Sequence, residues 1–275
     1  MDNNELTIIQ PNELQAVVKA EIDSQIATAH AYPRDLDRII RNVKAISLKD
    51  QDTAAGCFYS LRRGDQSKPI EGPSIRLAEL VASQYGNLRI QTRVKSNDGK
   101  TIVAEAVCHD LESNYAINNE VRVSIVGKNG QTYSNDMQVV VGNAACAKAM
   151  RNAIFKVVPM VMFDTLLPDI KKTAIGEGAN LTETRSKMID YFGKMGVNQQ
   201  MICQYLGVDT VLKIDAELVG QLRGLATAIK DGTTSVEETF IEPAMRAEKE
   251  KIQKEVANET QQATLDAMFA SKGGK

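Results

Sequence analysis

The chain has 275 residues, 43% of them hydrophobic, with 33 basic and 35 acidic side chains and a formal charge of −2. That length and apolar share suffice for one large core, or for a medium core and a small one, and the charge balance excludes a uniformly cationic, histone-like protein. Charge is unevenly spread: 55–100 carries eight basic against four acidic side chains, whereas 1–54 carries six against nine and the tail from 237 six against eight.

The opening MDNNELTIIQ is polar and acidic and predicts no signal peptide, and no apolar run approaches the ~20 residues of a membrane span. Cys57, Cys108, Cys146 and Cys203 lie far apart with no Cys-x-x-Cys pair, and His30 and His109 are the only histidines. Neither a disulfide framework nor a zinc site is predicted, no cofactor is implied, and a reducing cytoplasm is the expected compartment.

A first helix is predicted after Pro11, with Leu14, Val17, Val18, Ile22 and Ile26 at helical spacing and the proline just outside it. A second runs from Asp35 to about Ile46 with Leu36, Ile39, Ile40 and Val43 on one face. CFYSLRR, 57–63, reads as a strand, and GDQSKPIEGPS as the loop after it. Ser74 caps a helix closed by Gly86. LRIQTRVKS then alternates, with Leu88, Ile90, Thr92 and Val94 against Arg89, Gln91, Arg93 and Lys95, which predicts a half-exposed strand with a basic outer face. SNDGKT is an Asp-Gly hairpin turn, IVAEAVCHDL the return strand, and YAINNEVRVSIVG a third, so the sheet is antiparallel with one wet face.

Gly142 is expected to lead into a long helix in which Ala147, Met150, Ile154, Val157, Val158 and Val161 lie on the sheet, with Pro159 kinking or ending it. After the linker LLPDIKKTAIGEGAN come three short helices capped by Thr182, Asn198 and Asp215 and stopped by Gly196, Gly207 and Gly232. The expected class is α+β: an antiparallel sheet packed by a long helix, with a helical N-terminal section at 1–54, an α+β core at 55–175, a small helical bundle at 180–236 and a charged, disordered tail at 237–275.

Catalytic motifs are missing. There is no G-x-S-x-G elbow, phosphate-binding loop, H-E-x-x-H or G-x-G-x-x-G. His109 and Asp110 are adjacent on a strand and point to opposite faces, which denies them a shared proton. A metal-dependent nuclease would have to draw on Glu105, Asp110, Glu112 and Glu120, and nothing in the sequence pairs them. The expectation is a non-enzymatic protein. Binding one nucleic-acid strand requires cations along the phosphates and flat side chains for the bases. Arg62, Arg63 and Lys68 around the first strand and loop, Arg89, Arg93 and Lys95 on the alternating strand, and Lys148, Arg151 and Lys156 on the long helix supply the first. Tyr59 and Tyr115 are candidates for the second, with Phe58 a better core residue than platform.

The order of these elements, and AACAKAMRNAIFKVVP after a glycine-rich loop, resembles the core of the single-strand annealing proteins, the superfamily that includes the phage RecT, Red-beta and Erf recombinases. EGPSIRLAELVASQYGNLRI is similar to sequences in phage proteins of this kind, and GVNQQMICQYLGVDTVLKIDAELVGQLRGLATAIKDGTTSVEETF to the small C-terminal modules they carry. The resemblance covers about 55–165. It implies single-stranded DNA lying in a groove of sheet and helix along a homo-oligomeric ring or filament, with Arg89, Arg93, Lys148, Arg151 and Lys156 as groove cations, in a bacterial cytoplasm if the chain is phage-encoded. It also implies a protein partner for the C-terminal module, a companion exonuclease or the host single-strand binding protein. The near-neutral total charge points to one strand rather than a duplex. The alternatives are a self-associating assembly protein indifferent to DNA, and the nuclease above.

Overall fold

A computed structural model describes residues 11–62, 68–127, 130–176 and 181–241, together with 243 and 245. In chain order these form α1 (Pro11–Ala31), α2 (Leu36–Ser47), α3 (Gln51–Gly56), β1 (Phe58–Leu61), β2 (Ile70–Pro73), α4 (Ile75–Tyr85), β3 (Leu88–Asn97), β4 (Thr101–Asp110), β5 (Tyr115–Ser124), α5 (Asn135–Val157), α6 (Leu166–Ile175), α7 (Leu181–Gly193), α8 (Gln199–Leu206) and α9 (Ala216–Lys230). The expected α+β class holds, with two antiparallel sheets, β1-β2 and β3-β4-β5.

The three-stranded sheet owes its shape to alternation. Ile102, Ala104, Ala106 and Cys108 of β4 are buried on one face, against α5. The facing side of α5 is equally slight: Gly142, Ala145, Ala149 and Ala153 recur at helical spacing and are buried. Small residues on both surfaces let helix and sheet approach closely, and a Cβ on Gly142 would already touch Val94 Cγ2 at 3.4 Å. Gly142 therefore lies inside the helix, not before it. Ser134 is the cap, accepting from the Met137 N–H. The stripe is accordingly rotated from the expected one: Ile154, Val157 and Val158 are buried, Ala147 and Met150 only partly so, and Val161 is 74% exposed beyond the helix end. Pro159 does end α5, and Met160–Phe163 forms a 3₁₀ turn after it.

Other expectations shift in the same way. Pro11 is the first residue of α1 rather than its outside neighbour, consistent with its fixed φ and missing N–H. Val17 and Val18 are exposed, and α1 touches the body mainly through its C-terminal half, where Ala29 is buried. The glycine- and proline-bearing loop contains β2, the linker before the bundle contains α6, and 51–56 forms the unexpected α3. Thr182 falls within α7, whereas Asn198 and Asp215 cap α8 and α9 as expected. Glu237–Ile241, expected in the tail, forms a helical turn that buries Phe240 edge-on against Phe192; apart from 243 and 245, the rest of that tail lies outside the described residues.

The C-terminal helices have their own core of Phe192, Ile202, Ile214, Val219, Leu222 and Leu225. Helix α9 also packs on β1 at Gly224, on α6 at Gly220 and on α3 at Thr227. A Cβ on Gly224 would sit 2.7 Å from the Ser60 backbone nitrogen and 2.7 Å from Phe58 Cε2. Gly224→Ala should thus reverse the usual helix preference. The ~1 kcal/mol gained in propensity is outweighed by overpacking, and a net loss of about 1–2 kcal/mol, read as a lower urea midpoint, is expected.

Candidate nucleic-acid interface

The residues expected to form one groove fall on separate surfaces. Strand alternation places Arg89, Gln91 and Arg93 of β3 on the sheet face opposite α5, with Glu105 of β4 and Glu120 of β5 beside them in register. A bulge between Val94 and Ser96 carries Lys95 out of the ladder. Lys95 pairs with Glu105 at 3.3 Å and with Glu120, and Arg93 donates to Glu105 at 2.9 Å. Glu105 is nearly buried beneath these groups, and its carboxyl is held below the ordinary value by the Asn118 hydrogen bond first, then by Arg93 and Lys95. Two of the three strand cations are therefore occupied by acids. Arg89, the third, donates to Gln25 of α1 at 3.0 Å on the wall of a cleft of about 510 Å³ between α1 and β3.

Arg62 is a latch rather than a ligand contact. Its backbone N–H donates to the Tyr205 hydroxyl, and its guanidinium to Gln221 at 2.9 Å and to the Leu206 carbonyl at 3.2 Å. It fastens the end of β1 to α8 and α9. Lys68 is exposed, Tyr115 is 49% exposed at the start of β5, and Arg63 lies outside the described residues.

The remaining candidates, Lys148, Arg151 and Lys156, all stand on α5 but reach different neighbours: the turn after α9, the β1-β2 sheet and β5. Lys156 Nζ donates to Asn119 Oδ1 of β5 at 2.8 Å. Arg151 lies over the Tyr59 ring of β1 with its guanidinium carbon 5.0 Å from the centroid, and shares weaker contacts with Asn152. Lys148 Nζ reaches the Thr233 carbonyl beyond α9 at 3.4 Å. Among the described residues neither Arg151 nor Lys156 forms an ion pair: an amide steadies one and an aromatic face the other, so both charges remain available to an anion. Tyr59 serves as the bed for Arg151, not as a free platform for a base.

Sequence reasoning missed Asn119, 7% exposed on the helix-facing side of β5, and Arg76, which approaches Asp231 at 3.8 Å near this flank. An asparagine inside a run of alternating apolar residues was the available signal for the first; for the second there was none. The four strand-region carboxylates gather in two pairs around cations, Glu105 and Glu120 around Lys95 with Arg93 also on Glu105, and Asp110 and Glu112 around Arg34. His109 Nε2 lies 3.0 Å from Asn114 Oδ1. Among the described residues, no three His, Cys, Asp or Glu side chains gather where a metal would need them, and no helix is long and apolar enough to cross a membrane. Compared with family models, curated proteins and solved structures, the chain matches none of them.

Proposed function

We propose that the protein binds single-stranded DNA along the flank of α5 and, as an oligomer, promotes annealing of complementary strands without making or breaking a bond. The observation that carries this reading is the pair Arg151 and Lys156 of α5, held by Tyr59 and Asn119 with no carboxylate of the described residues within ion-pair distance. Neutral supports fix the geometry of a cation without cancelling its charge, which is what repeated phosphate contact needs. The order of three antiparallel strands and a covering helix is what the annealing-protein resemblance leads one to expect.

In this mechanism protomers hold one strand extended and neutralise it so that a second can approach, and base pairing supplies the specificity. Exposed Met137, Val139 and Val140 on the first turns of α5 offer apolar surface for contact between copies. The C-terminal helices would carry a protein partner, an exonuclease or a single-strand binding protein.

The test is fluorescence-monitored annealing of two complementary oligonucleotides, with and without Mg²⁺, with the products run on a gel. Faster pairing of intact strands is the expected result. No binding and no acceleration would replace this reading with a purely structural role, and Mg²⁺-dependent shortening with a nuclease.

A further inference from the structure

Helix α9 ends in a place that is costly for its last residue. Asp231 is the C-cap, with its N–H donating to the Thr227 and Ile229 carbonyls, so its carboxylate sits at the negative end of the helix dipole. Its side chain is also only 10% exposed. The turn after it is pressed on α5: Gly232 takes φ +65° and a Cβ there would strike Ala144 Cβ at 2.7 Å, while the next carbonyl, of Thr233, receives Lys148. This turn therefore lies across the flank assigned to the DNA strand.

What offsets these costs is cationic. Arg76 Nε of α4 lies 3.8 Å from Asp231 Oδ1, and Arg151 is close enough to favour the ionised carboxyl, with Lys230 adding to both and Glu79 opposing them. Burial pushes the carboxyl up from its ordinary value in spite of these cations, the mark of an acid placed where charge is expensive. Arg76 itself is 43% exposed and open to a second anion from solvent.

We infer that Asp231 is an internal stand-in for a DNA phosphate, occupying Arg76 in the empty protein and yielding it when a strand enters, so that the end of α9 sets the affinity of the α5 flank. The inference rests on the strand-binding reading and adds a regulator to it. A phosphate carries the same charge with more acceptor oxygens, and from solvent it can make the close two-pronged bond to Arg76 that a carboxylate on a helix end, at 3.8 Å, does not. Exchange of one anion for another makes the free site less prone to adventitious polyanions, and it ties occupancy to the position of the C-terminal helices.

The experiment compares labelled oligo(dT) binding to the full chain, to Asp231→Asn and to Glu79→Gln over a range of salt. Glu79→Gln removes the same charge from the same neighbourhood without vacating Arg76. Asp231→Asn should bind at least about fivefold more tightly, and its log–log salt slope should steepen by roughly 0.7, the increment for one added phosphate on a single strand. Glu79→Gln should change affinity less than twofold with an unaltered slope. Thermal melting checks folding, and Asp231→Ser replaces the asparagine variant should that one fail to fold. Equal tightening by both substitutions, or none from Asp231→Asn in a protein that binds, overturns the stand-in role and leaves the strand-binding reading intact. No binding by any of the proteins removes both.

Discussion

Arg34→Ala should lower the free energy of unfolding by roughly 3–5 kcal/mol, the cost of leaving a buried carboxylate without its cation. Arg34 lies between α1 and α2, and its guanidinium makes a two-pronged bond to Asp110 at the end of β4, at 2.7 and 2.5 Å. Nε is 3.0 Å from Glu112, and the guanidinium carbon is 3.9 Å above the Tyr85 ring of α4. One side chain thus joins the helical N-terminal section, the sheet and α4, with the Arg34 and Asp110 side chains 9% and 5% exposed. Burial alone would raise the Asp110 carboxyl, but hydrogen bonds from Arg34, Ser113 and the Glu112 backbone outweigh it and bring the carboxyl down to about 2. Because the folded value is depressed, the stability it contributes is complete above the ordinary carboxylate value near ~4 and drains as pH falls through about 2. Urea midpoints taken down this range should fall in the wild type. In Arg34→Ala the trend through Asp110 should reverse, since an unpaired buried carboxyl is better tolerated protonated. A parallel decline in both proteins would show that Asp110 owes its acidity to something other than Arg34.

The local rules of the sequence carried much of the fold. Caps were legible because each is a side-chain oxygen meeting a backbone N–H a fixed distance away, as Ser74, Asn198 and Asp215 all do. The elements that escaped notice are short and hold residues that usually punctuate: β2 contains Gly72 and Pro73, α6 contains Pro168 in its first turn, and α3 has only six residues. Packing against β1 and α9 supplies what their own propensities lack. The start of α5 was misplaced for a related reason. Gly142 reads as a helix boundary from composition, yet it lies inside α5, where the helix passes close over Val94 and Ile102 of the sheet.

The pairing of the sheet cations turns on a single step of register. With Asp98 and Gly99 as a two-residue loop, Asn97 would face Lys100 and Arg93 would face Ala104, leaving Glu105 on the other face. In the fold Asn97 pairs with Ile102, and the bulge at Lys95 brings Arg93 opposite Glu105. A shift of one residue exchanges the faces, so a basic outer surface becomes a neutralised one. No pattern within β3 reveals this, because the deciding residues belong to β4, β5 and the turn.

Two double substitutions turn that distinction into opposite results. Arg151→Gln with Lys156→Gln should weaken oligo(dT) binding ten- to a hundredfold and reduce the salt slope by roughly 1.4, the loss of about two phosphate contacts. Its stability should stay within about 0.5 kcal/mol of wild type, since the amide of the substituted residue can still donate to Asn119 and Asp231 keeps Arg76. Arg93→Gln with Lys95→Gln should do the reverse. Glu105 would lose both cations and be held only by Asn118 and whatever the new amides donate, and the urea midpoint should fall. Binding should change little, because those charges were already spent on Glu105 and Glu120. If the sheet pair instead abolished binding while the helix pair left it unchanged, the strand would run over the outer face of β3-β4-β5, and the ion pairs there would have to open to admit it.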